Sequence, residues 1–140
     1  MKQIDEYSFN LGKHAGEIKA WCEAAKNGAK KMSLSNPFKP EEIEEITPYI
    51  KEYTTINQVQ YYLEKELLIT DLFGEMNLTD IWVYIIYKDT EILEEYLSLL
   101  EEKKQLETDG AYTGEPRRDI AVRFGRLLGY SDKAIYTRWS

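Results

Sequence analysis

The chain has 140 residues and a formal net charge of −7, with 43% hydrophobic and 31% charged side chains. Those proportions exclude a disordered chain and fit a single domain over 1–140, able to bury about two-thirds of its unfolded surface. The acidic balance argues against direct nucleic-acid binding, which needs a basic face, and no apolar run approaches the ~20 residues that cross a bilayer.

The first element expected is a long N-terminal helix over residues 1–30. Ile4, Tyr7, Leu11, His14, Ile18, Trp21, Ala25, Gly28 and Met32 recur at steps of three and four, the spacing of one helical face. Charges in MKQIDEYSFN stand where a signal peptide needs its apolar core, so the expected location is cytoplasmic. Asn27-Gly28 is the expected stop. Gly12, Gly16, Ala20 and Ala24 form a small-residue flank at i, i+4 steps, suited to tight packing within the chain or to a helix-mediated homodimer. SLSNPFKP reads as a loop. A second helix is expected over 40–53, opened by Pro40 and buried along Ile43, Ile46, Ile50 and Tyr53; Pro48 should kink or end it.

Residues 57–88 read as a β-hairpin region. TINQVQYYLEKELLITDLF has helical spacing as well as β-rich composition, but its neighbour IWVYIIYKD is a run of seven apolar or aromatic residues, as a buried strand should be. With GEMN as the connection, the expected hairpin joins roughly 60–73 to 80–87. A helix then spans 89–107, capped by Asp89 or Thr90. A C-terminal helical pair covers 116–139, with Pro116 opening its first member, Gly129 closing it and Ser131 capping the second. The fold class is therefore α+β: a mostly helical single domain with a small central antiparallel β-hairpin or sheet.

Charge is polarised along the chain. Residues 111–140 hold six basic and three acidic side chains, against 12 basic and 22 acidic in the first 110. Much of the positive charge lies in PRRDIAVRFGRLLGY. Projected as a helix, Ile120, Phe124, Leu127 and Leu128 form its apolar face, and Asp119 and Arg123 make an i, i+4 pair. Arg117 and Arg118 occupy the first turn, where the helix dipole is already positive. Two answers fit. An anionic ligand bearing a phosphate or carboxylate sits there, held by Arg117 and Arg118 with Tyr112 and Gly114 of the preceding loop as its rim; or a carboxylate from the acidic body docks as an internal counter-charge.

Other constellations are thin. His14 stands alone on the apolar seam, and Cys22, the sole cysteine, reads as a small buried residue; neither has partners for catalysis, a disulfide or a metal. Glu64, Glu66 and Asp71 loosely resemble a nuclease metal site but lack its ordering. No metal or cofactor is called for, and no nucleophile, base and oxyanion donor assemble, so an enzyme is not supported. Eleven tyrosines and three tryptophans exceed the needs of a small core, and such residues favour interfaces. Tyr61 and Tyr62 on one strand, with Tyr84 and Tyr87 on the other, would put aromatics on both faces of the hairpin; with Gly12 and Gly16 they are the candidate interface. The leading expectation is a small acidic interaction or regulatory protein that binds another protein, basic in character, or a second copy of itself. The alternative is a binder of an anionic small molecule through the first turn of the 116–128 helix.

Overall fold

A computed structural model of the protein describes residues 6–72 and 81–139, those at 6–12 and 14 by their backbone alone. Among them are α1 (Glu6–Lys26), β1 (Met32–Leu34), α2 (Ile43–Asn57), β2 (Gln60–Glu64), β3 (Val83–Tyr87), α3 (Thr90–Thr108), α4 (Gly114–Leu127) and α5 (Asp132–Tyr136). Single 3-10 turns precede α2 at Pro40–Glu42 and follow α5 at Thr137–Trp139. This is a mixed α+β domain with a small antiparallel sheet.

The sheet order is β1-β3-β2, with β3 in the centre. Every residue of β3 is buried, as its uninterrupted apolar run requires. Its side chains alternate between two clusters. Tyr84 and Ile86 point toward α1 and α2, where Ile18, Cys22, Phe38 and Ile50 meet them. Ile85 and Tyr87 point toward α3 and α4, against Tyr96, Leu99, Ile120 and Phe124. Helices thus cover both faces of the sheet, giving three layers and a core on each side of the middle one.

Local chemistry explains the ends of the helices. After α1, the Gly28 amide bonds the Ala25 carbonyl and the Ala29 amide bonds that of Ala24; after α4, Gly129 bonds Arg126 and Tyr130 bonds Gly125. Both closures need a left-handed residue, and both glycines supply it, at φ 74° and 84°. Ser131 caps α5 by accepting the Ala134 amide at 3.1 Å. Gly125, inside α4, makes room for a crossing: a Cβ there would stand 2.7 Å from Leu72 Cδ1 and 3.0 Å from Ile135.

Four expectations are corrected. Met32 is not on the first helix: the turn at Gly28 redirects the chain, and Met32 pairs with Tyr87 as the start of β1, a strand where a loop was expected. Pro48 does not end its helix. α2 runs on to Asn57 because Ile46, Ile50 and Thr54 are buried on both sides of the proline, while the one amide bond lost is to the carbonyl of exposed Glu44. Third, α4 starts two residues before Pro116, at Gly114, with Thr113 as its N-cap. Finally, β2 pairs with β3 only over 60–64 with 83–87. Beyond it the backbone bonds to α3 instead: the Leu68 amide donates to the Tyr96 hydroxyl at 3.0 Å, and Lys103 donates to the Ile69 carbonyl at 2.7 Å. Residues 65–72 are a strap across α3, and the GEMN connection lies outside the described residues.

Candidate functional site

Arg117, in the first turn of α4, meets a carboxylate from its own chain. Its Nε lies 3.1 and 3.0 Å from the two Asp71 oxygens and its Nη2 2.7 Å from Oδ1, a bidentate fork. The hydrogen bond from Arg117 holds the Asp71 carboxyl below the usual carboxylate range, and the same bond raises Arg117. Arg138 adds a donor to the Asp71 carbonyl at 2.9 Å. Tyr112 lies beneath this knot, its ring 5.2 Å from both the Arg117 guanidinium and the Lys103 ammonium. Burial, then the neighbouring Asp71 charge, raises its hydroxyl pKa.

Arg118 points to the other flank. Its guanidinium stacks 4.8 Å from the Trp139 ring and 5.5 Å from Tyr136, with no carboxylate partner among the described residues. It borders an open cleft of about 360 Å³, lined also by Glu115, Asp119, Val122, Arg126 and Tyr136. Arg126 pairs with Asp132 at 3.2 Å and Arg123 with Glu102 and Asp119 at 2.8 and 3.1 Å. The four candidate ligand residues are therefore divided: Tyr112 and Arg117 share the Asp71 knot, Arg118 faces the cleft, and exposed Gly114 lines neither.

The aromatic candidates divide too. Tyr84 is 1% exposed, and both it and Tyr87 are core residues, because helices cover both sheet faces. As core residues, they do not offer the candidate interface surface expected of them. The Tyr84 hydroxyl lies 2.5 Å from that of Thr47, and burial raises its pKa. Tyr61, half-buried on β2, packs edge-on to Tyr84 with centroids 5.8 Å apart, and Tyr62 is half-buried on the other face. Gly16 is exposed with open space where a Cβ would stand, so the flank is not packed there; the surroundings of Gly12 and the side chain of His14 lie outside the described residues. Cys22 is fully buried, and burial, with Glu23 adding, pushes its thiol up to about 11, leaving it protonated at neutral pH.

Sequence reasoning missed one buried network. Glu64 is 5% exposed; its Oε2 accepts from the Tyr96 hydroxyl at 2.8 Å and its Oε1 from the Glu66 amide at 2.9 Å. Glu66 instead reaches Lys104, and Asp71 reaches Arg117, so the three carboxylates of the nuclease-like pattern go separate ways. Among the described residues, no three or more His, Cys, Asp or Glu side chains are grouped to hold a metal, and no helix is long and apolar enough to cross a membrane.

The outward faces of α2 and α3 are mostly acidic. Glu44, Glu45 and Glu52 of α2, and Glu91, Glu94, Glu95 and Glu101 of α3, are exposed and have no hydrogen-bond or ion-pair partner among the described residues. Ile56, 61% exposed, continues the Glu45–Glu52 stripe of α2 at helical spacing. Comparison with protein-family models, with curated proteins and with solved structures found no match.

Proposed function

We propose that this is a small acidic cytoplasmic protein that works by binding another protein with a basic surface, and performs no chemistry of its own. The observation that carries the reading is the cluster of unanswered carboxylates on the outer faces of α2 and α3. Arg117, Arg123 and Arg126 are each matched by a carboxylate of the same chain, while the outer glutamates of α2 and α3 have none. Such faces steer a basic partner and fix its orientation, and the exposed Ile56 adds an apolar contact beside one of them.

A second reading keeps the anion site but moves it. Arg118, held flat by Tyr136 and Trp139 beside the 360 Å³ cleft, offers a free fork to a phosphate or carboxylate with an aromatic wall for a ring.

One experiment separates them. In extracts of the cells that make the protein, a zero-length carboxylate–amine cross-linker should join the α3 glutamates to lysines of one partner. The triple reversal Glu94→Lys, Glu95→Lys, Glu101→Lys, all beyond the first turn of α3, should remove that product with little change in the thermal midpoint. No product at low ionic strength, together with a native mass spectrum showing a retained small molecule lost on Arg118→Glu, would establish the second reading instead.

A further inference from the structure

The sheet has two outer strands, and they are not alike. β1 is three residues long, and after Ser35, whose amide still bonds Tyr84, Asn36 and Pro37 interrupt it. β2 is five residues, Gln-Tyr-Tyr-Leu-Glu, with no proline or bulge, and its one charged side chain, Glu64, is turned inward and buried.

The hydrogen bonds of β3 tell which backbone groups of β2 remain open. Trp82 exchanges both bonds with Phe38 at 2.8 Å, and the Tyr84 carbonyl accepts from Ser35 at 2.9 Å, so the even-numbered residues of β3 face the β1 side. Val83, Ile85 and Tyr87 therefore bond toward β2, to their partners Glu64, Tyr62 and Gln60. The amides and carbonyls of Tyr61 and Leu63 point away from the sheet, and neither residue has a further hydrogen-bond partner among the described residues. A hollow of about 550 Å³ runs beside this edge, lined by residues 62–66 with Leu100 and Lys104, leaving an approaching strand room.

We infer that this edge is closed by the same edge of a second copy of the chain, β2 against β2 about a two-fold axis at Tyr62. The inference does not depend on the basic partner above. A strand centred there pairs Tyr61 with the second copy's Leu63 and the reverse, using all four outward-facing backbone groups of each strand. Tyr62 meets its own copy across the axis, and Gln60 meets Glu64. No like charges stand opposite one another. The charges flanking the strand are answered within their own chain as well, Glu66 by Lys104 at 3.9 Å and Lys65 over the Trp82 ring at 4.7 Å, so the acidic body presents its least repulsive strip at this edge. The product is one six-stranded antiparallel sheet with no long open edge.

The test begins with the unaltered protein, whose native mass should be twice that of the chain. Leu63→Pro removes an outward amide and spares the β3 ladder, so it should return the mass to one chain with the fold retained by circular dichroism, at some cost in thermal midpoint because the Leu63 side chain also packs on the α1–α2 cluster. Across the axis, Tyr62 occupies a non-hydrogen-bonded pair with Cα atoms about 4.5 Å apart, within disulfide range. Tyr62→Cys should therefore form a covalent dimer under mild oxidation. Gln60→Cys, about 13 Å from its copy by the rise per residue, should not. A monomeric mass at the highest soluble concentration, or equal cross-linking of both cysteine variants, would overturn the inference.

Discussion

Helices α3 and α4 pack together on one face of the sheet and treat their charges in opposite ways. α4 carries Arg117, Arg118, Arg123 and Arg126, and three of the four are tied to carboxylates of the chain itself, the fourth to two aromatic rings. α3 turns Tyr96 and Leu99 fully inward and leaves Glu91, Glu94, Glu95 and Glu101 in solvent without partners. Three of the four arginines of a basic segment are thus answered within the chain, while these glutamates of α3 are not. Sequence charge and presented charge differ because long-range pairing decides which charges remain.

The contrast is broken most severely from the inward side of α3. Tyr96→Phe removes the donor to buried Glu64 and the acceptor of the Leu68 amide together. The Glu64 Oε2 and the Leu68 amide then lack a partner, though Oε1 keeps the Glu66 amide, and the loss should be about 2–4 kcal/mol, read as a shift in urea midpoint. An unshifted midpoint would mean that water or rearrangement satisfies both groups. Reversing α4's best-matched charge acts less. Arg117→Glu sets two carboxylates face to face at a half-exposed site and should cost about 1 kcal/mol at low salt, less in high salt.

Asp71 gives that same pair a pH signature. Its carboxyl is depressed in the folded state, so its contribution is fully present above the unfolded carboxylate value, about 3.9, and is lost as pH falls through the lower folded value. The stability difference between the native protein and Asp71→Asn should accordingly shrink toward zero on acidification; a difference that grows would reverse the sign and contradict the pairing. The smallest effect is expected from α3's outward side. Glu94→Lys with Glu95→Lys should leave stability within about 0.5 kcal/mol, because neither carboxylate has a partner to lose.

Local patterns made much of this molecule legible. The IWVYIIY run announces a central buried strand, and Gly28 and Gly129 mark helix ends because each closure needs a left-handed residue. The apolar stripe of Ile120, Phe124 and Leu127 names the buried face of α4. Pro48 misled because packing of the α2 face on both sides of it outweighs one missing bond. The strap at 65–72 looked like strand, since its composition does not reveal that Tyr96 and Lys103 take its backbone groups. For the candidate site, the sequence shows that two arginines at a helix start need an anion. It does not show which: Asp71 lies 46 residues from Arg117, one among many carboxylates that only the folded chain sorts. Equally, a β-rich tyrosine pair does not say whether helices cover the sheet, and two of the four candidate tyrosines proved to be core.

The central claim, that most of α4's positive charge is matched from within, is tested most directly by a double-mutant cycle on Asp71→Asn and Arg117→Gln in urea at low salt. The pairing predicts a favourable coupling of about 0.5–1 kcal/mol that weakens as salt is added. Additive effects, within about 0.3 kcal/mol, would contradict it and leave the Arg117 fork to an anion from outside the chain.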